Sequence, residues 1–231
     1  MPQITDIQPG KKDPKRVNVF LDGEFAFAVS LEAKIVNKLQ INQELSDEKI
    51  AKLIQQDQLE RLTNQALRFL SFRPRSEKEV RNYLIQKLKL SDQGGEEKQN
   101  FEKSIRLVIE KLKHLGQIND EDFAKWWVEQ RNRFRPKGSR VIKLELLQKG
   151  IDRETIEKVT PLRPFDSAQG YAGQVNELDL ATTAALKKIS SYQKLEQREF
   201  KIKMGQFLAR KGFDWVTIKK VVDTFLEKRV E

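Results

Sequence analysis

The sequence predicts a mainly α-helical protein in which three tandem three-helix repeats follow a small module of one β-hairpin and a helix. Three observations predict it. The string "KGIDRETI" at 149–156 returns as "KGFDWVTI" at 211–218, and the same shift carries Phe72-Arg73-Pro74 onto Phe134-Arg135-Pro136. From about Leu59 onward apolar residues recur with the helical period, whereas the first thirty or so residues alternate with period two. A chain of 231 residues is long enough for one elongated domain or two to three small modules.

The front module is expected over residues 1–57. In "RVNVFLDGEFAFAV", Val17, Val19 and Leu21, then Phe25, Phe27 and Val29, alternate around Asp22-Gly23, a two-residue turn signal that predicts a hairpin. Ile4 and Ile7 predict a further strand before Pro9-Gly10. Helical patterns follow near 31–39 and from the N-cap Ser46 to about Ile54.

The first repeat is expected over 58–117. Phe101, Ile105, Val108, Ile109 and Leu112 form one apolar stripe. Leu88 stands where the later repeats have glycine, and 91–100 reads as a loop. The second repeat, 118–160, starts at Asn119-Asp120. The segment 161–176, with its prolines and glycines and no sustained period, reads as a linker. The third repeat, 177–231, carries the stripe Trp215, Ile218, Val222 and Phe225. Gly150 and Gly212 are expected in the left-handed conformation that ends a helix, with Ile151 and Phe213 folding back and Asp152 and Asp214 capping the next helix.

Formal charge is +10, but it is unevenly placed. The first 57 residues hold eight Lys/Arg against nine Asp/Glu, whereas 125–143 holds seven cations against the single acid Glu129. This is either a footprint for a polyanion or a solvated basic helix face. Ser76-x-x-Glu79 reads as a capping box, so Arg73 and Arg75 stand at a helix N-terminus, and Arg135, Lys137 and Arg140 do the same around Gly138-Ser139. Cations there oppose the helix dipole by about 0.3–1 kcal/mol each, so an arriving phosphate or carboxylate would relieve them. Pairing with acids of neighbouring helices, such as Glu77, Glu129 or Asp122, is the competing structural reading. Phe123, Trp127, Gln130 and Phe134 share a helical stripe with Trp126 close by, which favours core packing over a base-stacking platform. Tyr83 and Phe207 read as core, and His114 as a partner for a helix C-terminus.

No cysteine and a single histidine leave no metal or nucleophile pattern, and there is no Walker loop or dinucleotide fingerprint, so the chain reads as a binder without cofactor. No apolar run has the length of a membrane span and no signal peptide is apparent, which is compatible with the cytoplasm.

Taken together, "ALRFLSFRPRSEKEVRNYLIQKL", "LGQINDEDFAKWWVEQRNRFRPKGSRVIKLELLQKGID" and "FKIKMGQFLARKGFDWVTIKKVV" strongly resemble the RecX family of bacterial regulatory proteins. The front module is similar to the extension of longer members, and the 160–176 segment departs from the family pattern. The resemblance implies a crescent of three-helix repeats that binds the RecA filament on single-stranded DNA as a monomer. It further implies inhibition of strand exchange, ATP hydrolysis and co-protease activity. On that basis Arg73, Arg75, Arg131, Arg133, Arg135, Lys137, Arg140 and Lys143 are the expected contacts to RecA acids or DNA phosphates. A stand-alone DNA- or RNA-binding module is the alternative, with tight salt-dependent binding to bare nucleic acid. A nuclease finds no supporting carboxylate set.

Overall fold

The computed structural model describes residues 1–11, 13–88, 95–160 and 176–230. These divide into two compact units, Met1–Arg73 with Val80–Gln117, and Pro74–Glu79 with Ile118–Glu231. All but the last residue of the expected linker, and residues 91–94 of the expected loop, lie outside the described residues.

In the first unit, strands β1 (Ile4–Pro9), β2 (Arg16–Leu21) and β3 (Glu24–Ser30) form an antiparallel sheet in that order. Asp22 and Gly23 both have positive φ, 50° and 91°, as a two-residue hairpin turn requires. Ile4, Val17, Val19, Phe27 and Val29 bury one face of the sheet against Leu39, Leu45 and Leu53. The expected alternation fails at Phe25. Val19 pairs with Phe27 but Phe20 with Phe25, so a bulge at Ala26 turns Phe25 away from the core, edge-on to Phe20.

Helix α1 (Leu31–Val36) is capped by Ser30 and stops short of Leu39, because Lys38 turns left-handed at φ 51°. Helix α2 (Asp47–Leu70) is one continuous helix capped by Ser46. It runs through the expected break after Ile54 and through the 57/58 boundary. The polar run Gln55-Gln56-Asp57-Gln58 hides the apolar period there, yet glutamine is a good helix former. Asp57, buried, accepts two bonds from the Arg16 guanidinium at 2.8 and 2.9 Å, tying β2 to α2.

The remainder of this unit is the body of α3 (Glu77–Lys87) and α4 (Gly95–His114). Val80, Leu84, Ile105, Val108, Ile109 and Leu112 are buried, and α2 packs on α4. Tyr83 stacks on Phe69 with centroids 4.2 Å apart. The segment 95–100, read as loop, is the first part of α4, an acidic and polar run that the sequence alone does not mark as helical.

The second unit contains α5 (Asp120–Phe134), α6 (Ser139–Gln148) and α7 (Arg153–Val159), then α8 (Glu177–Ile189), α9 (Gln197–Arg210) and α10 (Trp215–Val230). Phe123, Ala124, Ile142, Leu146, Ile151 and Ile156 form the core of the first trio. Phe200, Met204, Leu208, Phe213, Ile218 and Val222 centre that of the second. Each fully buried aromatic contributes about 1.5–3 kcal/mol. The repeated punctuation is as expected. Gly150 and Gly212 sit at φ 86° and 87°, Ile151 and Phe213 are buried, and Asp152 and Asp214 accept from Thr155 N and Thr217 N at 2.8 Å. Trp215 departs from its stripe. It is 72% exposed at the first position of α10, and Val221 and Leu226 complete the buried face instead.

Candidate polyanion-binding face

The second unit contains two joints built from the same parts. At the first, Ser76 Oγ accepts from Glu79 N at 3.2 Å and donates to the Lys149 carbonyl at 2.8 Å. Glu77 N donates to Asp120 Oδ1 at 2.8 Å, and the Lys149 ammonium pairs with Glu79. At the second, Gly138 N donates to the Lys211 carbonyl at 2.9 Å, and Ser139 N donates to Glu177 Oε1 at 3.2 Å. Asp120 and Glu177 are each the first residue of a helix whose cap is an asparagine, Asn119 or Asn176. The acid following that cap reaches back to the open N-terminus of the preceding repeat. The anion at the mouths of α3 and α6 is therefore a carboxylate of the chain itself, and Glu79 of the expected capping box takes the Lys149 ammonium. Burial pushes the Glu177 carboxyl up, and Asp214 adds to this against the bonds from Ser139.

These joints sort the expected contact residues. Arg131 and Lys137 belong to an internal cluster. Glu145 accepts from Trp127 Nε1 at 2.9 Å and Arg131 Nε at 2.7 Å on one oxygen, and from Lys137 Nζ on the other. The Arg131 guanidinium also lies 4.3 Å from the Trp127 ring centroid, with the Lys149 ammonium 5.0 Å from it. Lys143 donates to both oxygens of Glu157 at 2.7 Å. Arg73 and Arg75 are half-buried on the approach to α3.

Arg133, Arg135 and Arg140 are exposed, and none has a carboxylate partner among the described residues. Phe134 lies between the first two and is 58% exposed, with the Arg133 guanidinium 5.3 Å from its ring centroid. Its counterpart Phe72 is 75% exposed. The expectation that Phe134 packs in the core is thus corrected. It is the last residue of α5, where the stripe has run past the partners that bury Phe123 and half-bury Trp126 and Trp127.

Two cations that sequence reasoning missed complete this face. Lys187 Nζ donates to the Phe134 carbonyl at 3.1 Å, and Lys211 Nζ to that of Pro136 at 3.4 Å. Burial lowers the Lys211 pKa, and the like charges of Lys137, Lys187 and Arg135 lower it further. The repeated Lys-Gly motif was a signal for Lys211; nothing in the sequence singled out Lys187.

Glu145 makes a testable prediction. Burial alone would raise its pKa, but the bonds from Lys137, Arg131 and Trp127 outweigh this and hold the carboxyl below its ordinary value. A depressed carboxyl stabilises the fold above its unfolded pKa, about 4.3, and loses that contribution as pH falls through the folded pKa. Glu145→Gln should cost roughly 1–3 kcal/mol at pH 7, and thermal melts should show the gap to wild type narrowing in acid below about pH 4. A gap independent of pH would assign the loss to packing rather than charge.

Comparison with known proteins identifies the scaffold. Residues 2–46 match the model of the regulatory protein RecX N-terminal domain, and 63–88, 119–159 and 176–222 match those of the first, second and third RecX three-helix domains. The regulatory protein RecX of Clostridium beijerinckii is 34% identical over 96% of this chain and 95% of its own. The chain belongs to the RecX family. The RecX protein of Bacillus subtilis is 32% identical over 96% of this chain and 77% of its own. Among solved structures, a crystal structure of regulatory protein RecX matches at TM-score 0.65 and 26% identity, over 96% of this chain and all of the other. That of RecX from Lactobacillus salivarius matches at 0.54 and 30% identity, over 73% of this chain and 96% of the other. The family is one of regulatory proteins, and the helical repeats behind a small sheet are the RecX architecture. Among the described residues, no helix is long and apolar enough to cross a membrane.

Proposed function

We propose that this RecX-family protein binds the RecA filament on single-stranded DNA in the cytoplasm, as a monomer, and inhibits its recombinase, ATPase and co-protease activities. The observation carrying this reading is the set of exposed cations with no carboxylate partner among the described residues, Arg133, Arg135 and Arg140, on a scaffold of a regulatory family. A nucleoprotein filament offers both phosphates and acidic side chains to such cations. Of the expected contacts, these three are available as they stand. Arg131, Lys137 and Lys143 would have to share or leave Glu145 and Glu157, so their role is to hold the face in shape.

The test is steady-state ATP hydrolysis by the cognate recombinase on single-stranded DNA, with this protein added at substoichiometric ratios. Hydrolysis should fall well before one protein per recombinase subunit is reached. Unchanged hydrolysis at every ratio would remove the proposal. Tight binding to bare DNA with no effect on hydrolysis would favour the stand-alone nucleic-acid module.

A further inference from the structure

The two joints differ at one decisive position. At the first, Lys149 is neutralised by Glu79; at the second, the residue in the place of Glu79 is Val141, whose side chain lies against Gly212. Lys211, in the place of Lys149, therefore has no carboxylate partner among the described residues. A cation has also been added. Counted from the asparagine caps, Lys187 stands where the earlier helix has the neutral Gln130. Two carboxylates of this region, Glu177 and Asp214, are committed elsewhere, to Ser139 and to Thr217.

Lys187 and Lys211 thus bond the carbonyls on either side of Arg135, one each. An ammonium has three donors, so each has two beyond its carbonyl bond, with Lys211 Nζ also 5.3 Å from the Phe207 ring centroid, and Arg135, between those two carbonyls in the chain, is exposed. Beside this cluster projects the exposed ring of Phe134, with Arg133 over it. An acidic protein surface would also neutralise the cations and bury the ring, and is the competing occupant that the test separates. A single nucleic-acid strand uses both, because its phosphates take the ammonium and guanidinium donors while an unpaired base stacks on the ring.

We propose that Lys187, Lys211, Arg135 and Phe134 form a nucleotide subsite that holds one or two phosphates and one base of a single-stranded nucleic acid. This deepens the proposed function and rests on its reading of this face, but it is tested without the recombinase. The probe is a labelled oligothymidylate of about ten nucleotides, titrated with the full chain by fluorescence anisotropy at several salt concentrations. Wild type should bind weakly, in the range of about 10⁻⁴–10⁻⁶ M, with a clear salt dependence. Lys187→Gln/Lys211→Gln should weaken binding at least fivefold and reduce the salt slope by about 1.4, about 0.7 for each lost phosphate contact. Phe134→Ala should weaken binding at least threefold with the slope unchanged, and should weaken a duplex of equal length much less. Circular dichroism melts of the variants should match wild type; if the Lys211 variant unfolds, Arg135→Gln/Lys187→Gln, both at exposed positions, is used in its place.

Absence of wild-type binding to the oligonucleotide, or unchanged affinity and slope in the lysine variant, would overturn the subsite. Running recombinase inhibition in parallel separates the two claims. Lost oligonucleotide binding with inhibition intact supports the subsite independently of the filament reading. Unchanged oligonucleotide binding with inhibition lost overturns the subsite, assigns these cations to an acidic protein surface and leaves the regulator reading standing.

Discussion

Gly138→Ala is expected to destabilise the second unit by about 3 kcal/mol or more, seen as a melting transition lowered by roughly 6–12 °C. The backbone at Gly138 is ordinary, φ −66° and ψ 153°, so the cost is not conformational. It is steric. A Cβ there would lie 2.0 Å from the Gly212 carbonyl oxygen and 2.3 Å from its carbon, both backbone atoms that cannot rotate aside. Separating the two segments to admit the methyl would also break the bond from Gly138 N to the Lys211 carbonyl. Ser76→Gly, at the equivalent position of the first joint, is the informative control. That joint already accommodates a Cβ, so the loss is confined to the cap and the bond to the Lys149 carbonyl, about 1–2 kcal/mol. If Gly138→Ala melted within about 2 °C of wild type, the close backbone approach would not persist in solution.

The second large effect concerns function. Reversing Arg133, Arg135 and Arg140 to glutamate should raise the concentration for half-maximal inhibition of the recombinase ATPase by roughly ten- to a hundredfold, at unchanged helicity. These side chains have no carboxylate partner among the described residues, so their reversal breaks no ion pair and the fold tolerates it. The companion variant Arg131→Gln/Lys137→Gln should do the opposite. It leaves Glu145 half-buried with only the Trp127 N–H, and so should lower thermal stability before it changes inhibition. Inhibition undiminished in the triple reversal would remove this face from the filament contact. Inhibition lost equally in both variants at equal stability would mean that the Glu145 cluster opens on binding.

Much of this protein was legible in one dimension because the signals involved are local. The Asp22-Gly23 hairpin, the caps Ser46, Asn119, Asp152 and Asp214, and the left-handed glycines 150 and 212 each follow from the conformational preferences of a few adjacent residues. The repeat announced itself because such punctuation returned at a fixed shift. The elements that were misread are those where local signals are weak or are overridden. A single-residue bulge reversed the facing of Phe25, a polar run concealed the continuity of α2, and Phe134 continued a stripe beyond the residues able to bury it.

The sequence by itself thus determined the family, the order of the elements and the places where cations gather. Only the tertiary structure decided which cations are already spent. Glu145 lies eight or more residues from Lys137, Arg131 and Trp127 along the chain, yet binds all three, and Glu79 reaches Lys149 across the first joint. The repeat predicts equivalence between Lys149 and Lys211, but a charge is neutralised by what folding brings beside it. Glutamate at one joint and valine at the other leave one lysine paired and the other available to an anion.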